Sequence, residues 1–260
     1  LSVRQSARLY QESAAACLGR VDFGCDAFRR MQLGAYAMER MWEEVEKTGL
    51  SPGEILTIRL PFEHFSFGTG GMWTDEKYKS WRMLFFQKNR AGYERVCQVY
   101  AAVWNDICCF PVSSPGVCFE NSWMLERTYG GKRGHEGCDL MAANSKAGTC
   151  PVVSMTDGTI TNLGWTEKGG YRIGVTSDSG TYYYYAHLHS FGNKKRGDTV
   201  IAGEVIGFMG DSGYGEEGKT GKFPVHLHVG IYKYDKGTEI SVNPYYILQK
   251  CRRQKLKYHF

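Results

Sequence analysis

The chain has 260 residues, 42% of them hydrophobic and 23% charged, which excludes a disordered protein and allows one large domain or two modest ones. The formal net charge is +5, but no nucleic-acid-binding motif accompanies it, so we expect no nucleic-acid partner. Nine scattered cysteines without a CxxC pair predict neither a disulfide framework nor a cysteine-bound zinc.

The chain starts at Leu1 and not at a methionine. No apolar run approaches the roughly 20 residues that a membrane helix requires. We therefore expect a trimmed or mature form, from which a signal segment or membrane anchor upstream has been removed.

Residues 1–110 are predicted to form a helical domain, whose role the sequence does not indicate. Apolar residues first recur there at a 3-4-3-4-3 spacing, which predicts one long helix with a single buried stripe. Gly49 favours the end of that helix. The stripe consists of Phe28, Met31, Ala35, Met38, Trp42 and Val45.

Two further helices in this half have recognisable start signals. Ser51 supplies a cap, Pro52 a first-turn proline and Glu54 a capping-box glutamate. Thr74, followed by two acidic residues, predicts another helix start. A second helical stripe consists of Tyr93, Val96, Tyr100, Val103 and Ile107, and a loop between helices is predicted around Gly68, Gly70 and Gly71.

The pattern changes near Pro111, where short β-branched and aromatic runs begin to alternate with turn signals. We place the domain boundary at residues 108–115 and assign residues 111–260 to a second domain rich in β-strands. The expected fold class is therefore α+β, with a helical N-terminal domain followed by a β domain.

Two hairpins are predicted in the second domain. The Asp157-Gly158 dipeptide predicts that residues 151–155 pair with residues 159–163. An Asp-Ser-Gly turn predicts that residues 171–176 pair with residues 181–186. Further strands are predicted at residues 200–209 and 229–232.

Histidines and one aspartate form three local patterns in this domain. His135 and Asp139 lie four residues apart, and they can converge on one metal if the chain turns at Gly137. His226 and His228 alternate along a predicted strand and therefore share a face, so that one can bind the metal while the other works beside it.

The third pattern is His187 with His189, at the end of a tyrosine-rich strand. By strand parity these two side chains also share a face, and we leave His189 at the rim. Five of the seven histidines thus fall in one β-rich stretch, which makes chance a poor explanation.

The ordered series HxGxD, Asp-Gly, YAHL, GDxVxAGxxIG and HLH resembles the lysostaphin-type (LytM-like) zinc metalloendopeptidases. Its pieces here are His135–Asp139, Asp157-Gly158, Tyr185–Leu188, Gly197–Gly207 and His226–His228. The resemblance covers about residues 111–235 and leaves the helical half without a family. It implies a compact, mostly antiparallel β domain with the metal in a groove.

Transferred onto the matching motifs, the resemblance implies Zn²⁺ held by His135, Asp139 and His228, with His187 and His226 as catalytic histidines. Three protein ligands leave a fourth position for water, as in a catalytic zinc site. We choose His226 as the general base and His187 as the oxyanion donor, but the sequence alone does not separate the two roles.

Further candidates surround the expected groove. Tyr129, upstream of the HxGxD motif, matches a tyrosine that reaches the active site in some members, and the alternative is a packed aromatic residue. Two loops are predicted to wall the groove: residues 164–171 with Trp165 and Lys168, and residues 211–223 with Tyr214 and Lys222.

The resemblance implies an extracytoplasmic endopeptidase that hydrolyses peptide bonds of bacterial peptidoglycan stems or cross-links. The alternatives are a non-catalytic envelope scaffold or activator of another wall hydrolase that keeps its metal site, and a simple wall-binding module. The basic tail is read as a solvated terminus, with attraction to an anionic polymer as the alternative. That tail consists of Lys250, Arg252, Arg253, Lys255 and Lys257.

Overall fold

The computed structural model describes residues 2–63, 71–143 and 146–253. Gly68 and Gly70 of the predicted loop, and Lys255 and Lys257 of the predicted tail, lie outside the described residues. The chain divides into two compact units, Leu1–Asn105 and Asp106–Phe260.

The first unit is built around α4 (Pro52–Glu63), in which all residues from Pro52 to Leu60 except the half-buried Glu54 are buried. This helix packs against α1 (Val3–Gly19), α3 (Ala35–Thr48) and α5 (Asp75–Trp104). Inside the unit, the Arg59 guanidinium pairs with the buried Glu44 carboxylate at 2.9 Å. Both partners are buried, so the pair holds α3 and α4 in one arrangement. The helices are α1 (Val3–Gly19), α2 (Asp26–Arg29), α3 (Ala35–Thr48), α4 (Pro52–Glu63) and α5 (Asp75–Trp104).

The predicted helix ends in this unit are confirmed where the signal is local. Gly49 ends α3 in the left-handed conformation, with φ of 68°. Ser51 and Glu54 form the expected reciprocal cap at the start of α4. The Thr74 side chain accepts a hydrogen bond from the backbone N–H of Lys77 and so caps α5.

The prediction of a single long helix through residues 28–45 is wrong. The structure has the short helix α2, a break over residues 30–34, and then α3. Met31 adopts a φ of 46°, which no α-helix can contain. Phe28 and Met31 are nevertheless buried. The spacing of apolar residues therefore predicted correctly that these two residues are buried, but not that the helix is continuous. Ile107 likewise is buried but lies beyond the end of α5.

The second unit is a mostly antiparallel β domain, as predicted. All of its strand pairings are antiparallel in the described residues. The strands are β1 (Val117–Phe119), β2 (Glu126–Arg127), β3 (Arg133–Gly134), β4 (Cys138–Ala142), β5 (Pro151–Val153), β6 (Gly158–Thr166), β7 (Gly170–Thr176), β8 (Tyr182–Ser190), β9 (Thr199–Val200), β10 (Val205–Met209), β11 (Leu227–Asp235) and β12 (Thr238–Val242), and helix α6 (Tyr245–Arg253) follows.

The main sheet runs in the order β1-β4-β11-β8-β7-β6-β9, with β12 beside β11 and β10 beside β5 and β8. Strands β2 and β3 form a separate two-stranded ribbon. The long central strands β8 and β11 are adjacent, and β4 borders β11 on its other side. This order brings together strand positions that lie far apart in the sequence.

One of the two predicted hairpins is correct. Strands β7 and β8 pair across the Asp-Ser-Gly turn, as expected. The hairpin at Asp157-Gly158 is wrong, because β5 pairs with β10 and β6 pairs with β7 and β9. The predicted loop 164–171 is also mostly strand, since β6 reaches Thr166 and β7 begins at Gly170.

The β unit begins at Asp106, five residues before the expected start at Pro111. The Asp106 carboxylate accepts hydrogen bonds from the hydroxyls of Ser177, Ser179 and Tyr183, which flank the β7–β8 turn. The segment after it therefore belongs to the β unit. The C-terminal basic residues Lys250, Arg252 and Arg253 lie in α6. No helix within the described ranges is both long and apolar enough to cross a membrane.

Candidate metal centre

Three different strands, or the residue directly after one, position His135, Asp139 and His228. His135 directly follows β3, Asp139 lies in β4 and His228 lies in β11. Asp139 and His228 are directly opposite each other in the antiparallel pairing of β4 with β11. Directly opposed residues on neighbouring strands have adjacent side chains, so this register builds half of the site.

The three side chains place their donor atoms close together. His135 Nε2 lies 2.9 Å from His228 Nδ1 and 3.0 Å from Asp139 Oδ1. His228 Nδ1 lies 3.0 Å from the same oxygen. These atoms form a group that could hold a metal ion. Tetrahedral zinc with bonds of ~2.0–2.1 Å separates its ligand atoms by about 3.3 Å, so small shifts would admit it.

Gly137 is required by space and not by an unusual backbone angle. It is absent from the described residues with positive φ, and its N–H donates to the His135 carbonyl at 3.0 Å. A Cβ at this position would meet the Val229 carbonyl oxygen at 2.4 Å and His228 Cε1 at 2.5 Å. The glycine therefore allows the turn between His135 and Asp139 to pack directly on the ring of His228.

Partners outside the group orient these side chains. The Nδ1 atom of His135 lies 3.1 Å from the Ser122 carbonyl oxygen, which makes it the protonated nitrogen and turns Nε2 towards the group. The Arg127 guanidinium donates to Asp139 Oδ2 at 2.6 Å and leaves Oδ1 facing the histidines. Such partners fix ligand orientation in metal sites.

The charges in the group favour an ionised carboxylate beside the neutral ring of His228. Burial acts to raise the pKa of Asp139, but the adjacent His135 and His228 outweigh it and hold that pKa well below its usual range. Burial, followed by the influence of His135 and His226, lowers the pKa of His228 despite the nearby carboxylate. A neutral imidazole and a carboxylate are the forms that bind metals.

His187 and His226 lie beside this group. The centroids of their rings are 4.7 Å apart, and His226 Nε2 lies 3.8 Å from Asp139 Oδ1. His187 Nδ1 lies 2.8 Å from the Ser212 carbonyl oxygen, and His226 Nδ1 lies 2.8 Å from that of Pro224. Each ring therefore donates from Nδ1, which leaves Nε2 for other partners.

All five of these residues line one open groove. The groove also contains three cationic side chains, Arg127, Arg133 and Lys168, and the aromatic ring of Tyr214. The complete lining consists of Arg127, Arg133, Gly134, His135, Glu136, Asp139, Met141, Lys168, Gly169, Tyr184, Ala186, His187, Tyr214, Phe223, Pro224, His226, His228 and Tyr232.

The remaining candidates lie beside this groove and not in its lining. Tyr129 stacks on Tyr214, with ring centroids 4.0 Å apart, and its hydroxyl donates to Glu167 at 3.3 Å. Trp165 lies in β6 and donates from Nε1 to the Gly215 carbonyl oxygen at 3.3 Å. Lys222 is exposed in the segment before β11 and lies outside the lining.

Sequence reasoning missed the two arginines of the β2–β3 ribbon. Arg127 and Arg133 have no spacing relative to the histidines that would mark them, and each lies in a strand of two residues. The register of the ribbon places them opposite each other, and Arg127 donates to Asp139 in β4. Ser212, which orients His187 through its carbonyl, had no signal either.

Residues 133–244 match the family described as peptidase family M23. The chain is also similar to a protein from Ruminococcus gnavus whose crystal structure is described as that of a proposed glycyl-glycine endopeptidase LytM. The two sequences are 40% identical, and the two structures superpose with a TM-score of 0.77. That similarity covers 92% of this chain and 96% of the other.

Two similar proteins match over part of the chain. The L-Ala–D-Glu endopeptidase of Bacillus subtilis is 43% identical over 136 residues, which are 52% of this chain and 40% of that protein. The glycyl-glycine endopeptidase ALE-1 of Staphylococcus capitis is 42% identical over 82 residues, 31% of this chain and 21% of that protein. This chain therefore spans less than half the length of either.

Proposed function

Because the chain belongs to peptidase family M23, the LytM-like metallopeptidases, we propose that it is a zinc-dependent endopeptidase acting on bacterial peptidoglycan. The bonds it hydrolyses are those of peptide stems or cross-links, in an extracytoplasmic setting. The observation that carries the proposal is the convergence of His135, Asp139 and His228, with two further imidazoles in the same groove.

The donor set suits zinc. Two imidazole nitrogens and one carboxylate oxygen are the ligands of many catalytic zinc sites, and they leave a position open to solvent. Zn²⁺, when bound there, polarises the scissile carbonyl and lowers the pKa of a water towards roughly 7. His228 must then carry its proton on Nε2, because Nδ1 faces the other two donors.

The protein supplies the proton transfers. Burial, together with the neighbouring rings of His226 and His228, lowers the pKa of His187 to about 3, so this ring is neutral at pH 7. Its Nδ1–H is committed to Ser212, and its Nε2 can therefore take a proton from the attacking water. The same nitrogen can return that proton to the leaving amine.

This assignment reverses the roles chosen from the sequence. An oxyanion donor needs a proton on Nε2, and for His187 that would mean a buried cation. A proton on Nε2 of His226 would instead face the Asp139 carboxylate, 3.8 Å away. We therefore propose His187 as the base and His226 as the group that stabilises the oxyanion.

The test combines elemental analysis with mass spectrometry of purified wall fragments, digested with and without a chelator. His228→Ala should lose both zinc and hydrolysis, because it removes one of three ligands. His189→Ala is the matched control, since His189 is exposed on the same strand as His187. Stoichiometric zinc in His228→Ala would refute the ligand set. Zinc without any hydrolysis by the unaltered protein would favour the scaffold or activator alternative.

A further inference from the structure

The groove contains a cationic wall that the proposed mechanism does not use. Arg127 and Arg133 are directly opposite each other across the β2–β3 ribbon, and both line the groove. Lys168 lines it from the turn between β6 and β7. Like charges directly opposite on paired strands destabilise the pairing. Two arginines at this position therefore call for an anionic partner.

Asp139 compensates only one of the two arginines. Its Oδ2 accepts from Arg127 at 2.6 Å. The Nε atom of Arg133 is buried and has no hydrogen-bond partner within the described part of the chain. A buried donor left unsatisfied is unfavourable, so the guanidinium of Arg133 is less well compensated than that of Arg127. The carboxylate of Glu136, also in the groove, accepts from the Ser241 hydroxyl at 2.7 Å.

We propose that Arg133, with Arg127 beside it, forms a carboxylate-binding subsite that selects substrates with a free carboxylate next to the scissile bond. This inference rests on the proposed function. A planar guanidinium binds a carboxylate through two parallel hydrogen bonds, which gives both affinity and orientation. Lys168 adds positive charge to the same groove, but its ammonium group cannot form the two parallel hydrogen bonds of a guanidinium.

The position of the subsite sets where that carboxylate must lie. Arg127 is one hydrogen bond from Asp139, whose other oxygen belongs to the metal-binding group. A substrate carboxylate bound there is therefore within about one residue of the carbonyl that reacts at the metal. In the proposed binding mode, this carboxylate belongs to the residue that contributes the leaving amine.

This chemistry matches a bond between L-alanine and a D-glutamate that is linked onward through its side chain. The α-carboxylate of that glutamate is attached to the carbon that bears the leaving nitrogen. In a glycyl-glycine bond within a longer peptide, this carbon carries two hydrogens and an uncharged amide carbonyl, and amidation of the glutamate likewise removes the charge. We therefore expect the free acid to be preferred over its α-amide and over pentaglycine.

The experiment uses two synthetic stem peptides, L-Ala–γ-D-Glu–L-Lys, identical except for a free α-carboxylate or an α-carboxamide. The full zinc-loaded chain should hydrolyse the acid with a kcat/KM roughly tenfold or more above that of the amide. Arg133→Gln should bring this ratio close to one, and Arg133→Lys should restore only part of it. A ratio near one in the unaltered protein would overturn the subsite.

A matched control removes a neighbouring charge outside the groove. Lys132→Gln changes an 81% exposed side chain that pairs with Glu126 at 3.5 Å. It should keep the preference for the acid, whereas a fall equal to that in Arg133→Gln would show a general charge effect and refute the subsite.

Calorimetric titration of both peptides into zinc-loaded His226→Ala separates the subsite from the proposed function. Tighter binding of the acid with no hydrolysis by the unaltered protein would support the subsite and refute the peptidase. Equal binding of acid and amide would refute the subsite whatever the hydrolysis.

Discussion

Gly137→Ala tests whether the close approach of the 135–139 turn to His228 is what the metal group requires. The new Cβ would lie 2.4 Å from the Val229 carbonyl oxygen, about 1 Å short of ordinary contact. Val229 is paired on both sides, with Cys138 in β4 and with Tyr185 in β8, so its backbone cannot yield easily. The strain must be relieved by moving the turn or the His228 ring.

Either movement separates the donor atoms. Overpacking of this kind costs about 1–3 kcal/mol of stability. Disturbed support of a ligand lowers metal affinity by roughly 10–100-fold, and a misplacement of about 1 Å can reduce turnover by ~10²-fold. We expect Gly137→Ala to fold, to bind zinc roughly 10–100-fold more weakly and to lose most activity.

The measurements are zinc affinity by competition with a coloured chelator, thermal unfolding followed by circular dichroism, and hydrolysis of purified wall fragments. Gly34→Ala is the matched control, because a Cβ there meets nothing within 4 Å. If Gly137→Ala kept normal zinc affinity and turnover, the packing of the turn on His228 would not matter to the site.

Other expectations follow from the same geometry. His187→Ala and His226→Ala should each keep stoichiometric zinc and lose on the order of 10²-fold or more in kcat; normal turnover in either variant would exclude that residue from the mechanism. Arg127→Gln should weaken zinc binding by roughly tenfold or more, because it frees the second oxygen of Asp139; unchanged affinity by chelator competition would contradict this. A fragment starting at Pro111 should fold and bind zinc alone. It should melt several degrees below a fragment starting at Asp106, because the Asp106 carboxylate accepts hydrogen bonds from three hydroxyls. If the fragment starting at Asp106 were insoluble and metal-free, the two units would share one core.

Sequence patterns predicted local features well and long-range pairing poorly. The caps at Ser51 and Thr74 and the helix end at Gly49 depend on a few consecutive residues, and all three are confirmed. The Asp157-Gly158 turn is equally local, but it does not decide which strands pair. Strand β5 joins β10, more than 50 residues later, because burial in the sheet decides the pairing.

The same limit applies to the candidate site. Motif order pointed to the histidines and the aspartate, since their residue types and spacings are themselves informative. Arg127 and Arg133 gave no such signal, because an arginine in a two-residue strand is usually a surface residue. Their place in the groove follows from the ribbon register and from a hydrogen bond to Asp139, and both are visible only in three dimensions.

His187 shows why strand parity alone was an incomplete guide. Parity places His187 and His189 on one face, but His187 is buried in the groove and His189 is exposed. The register of β8 against β7 shifts beside it, and His187 takes a φ of 62°, which is costly for a residue with a Cβ. Its N–H is held by the Gly169 carbonyl oxygen at 2.8 Å and its ring by Ser212. The fold thus keeps a strained backbone at the residue whose Nε2 we propose as the proton acceptor, because the shift turns that ring towards His226 and the metal-binding group.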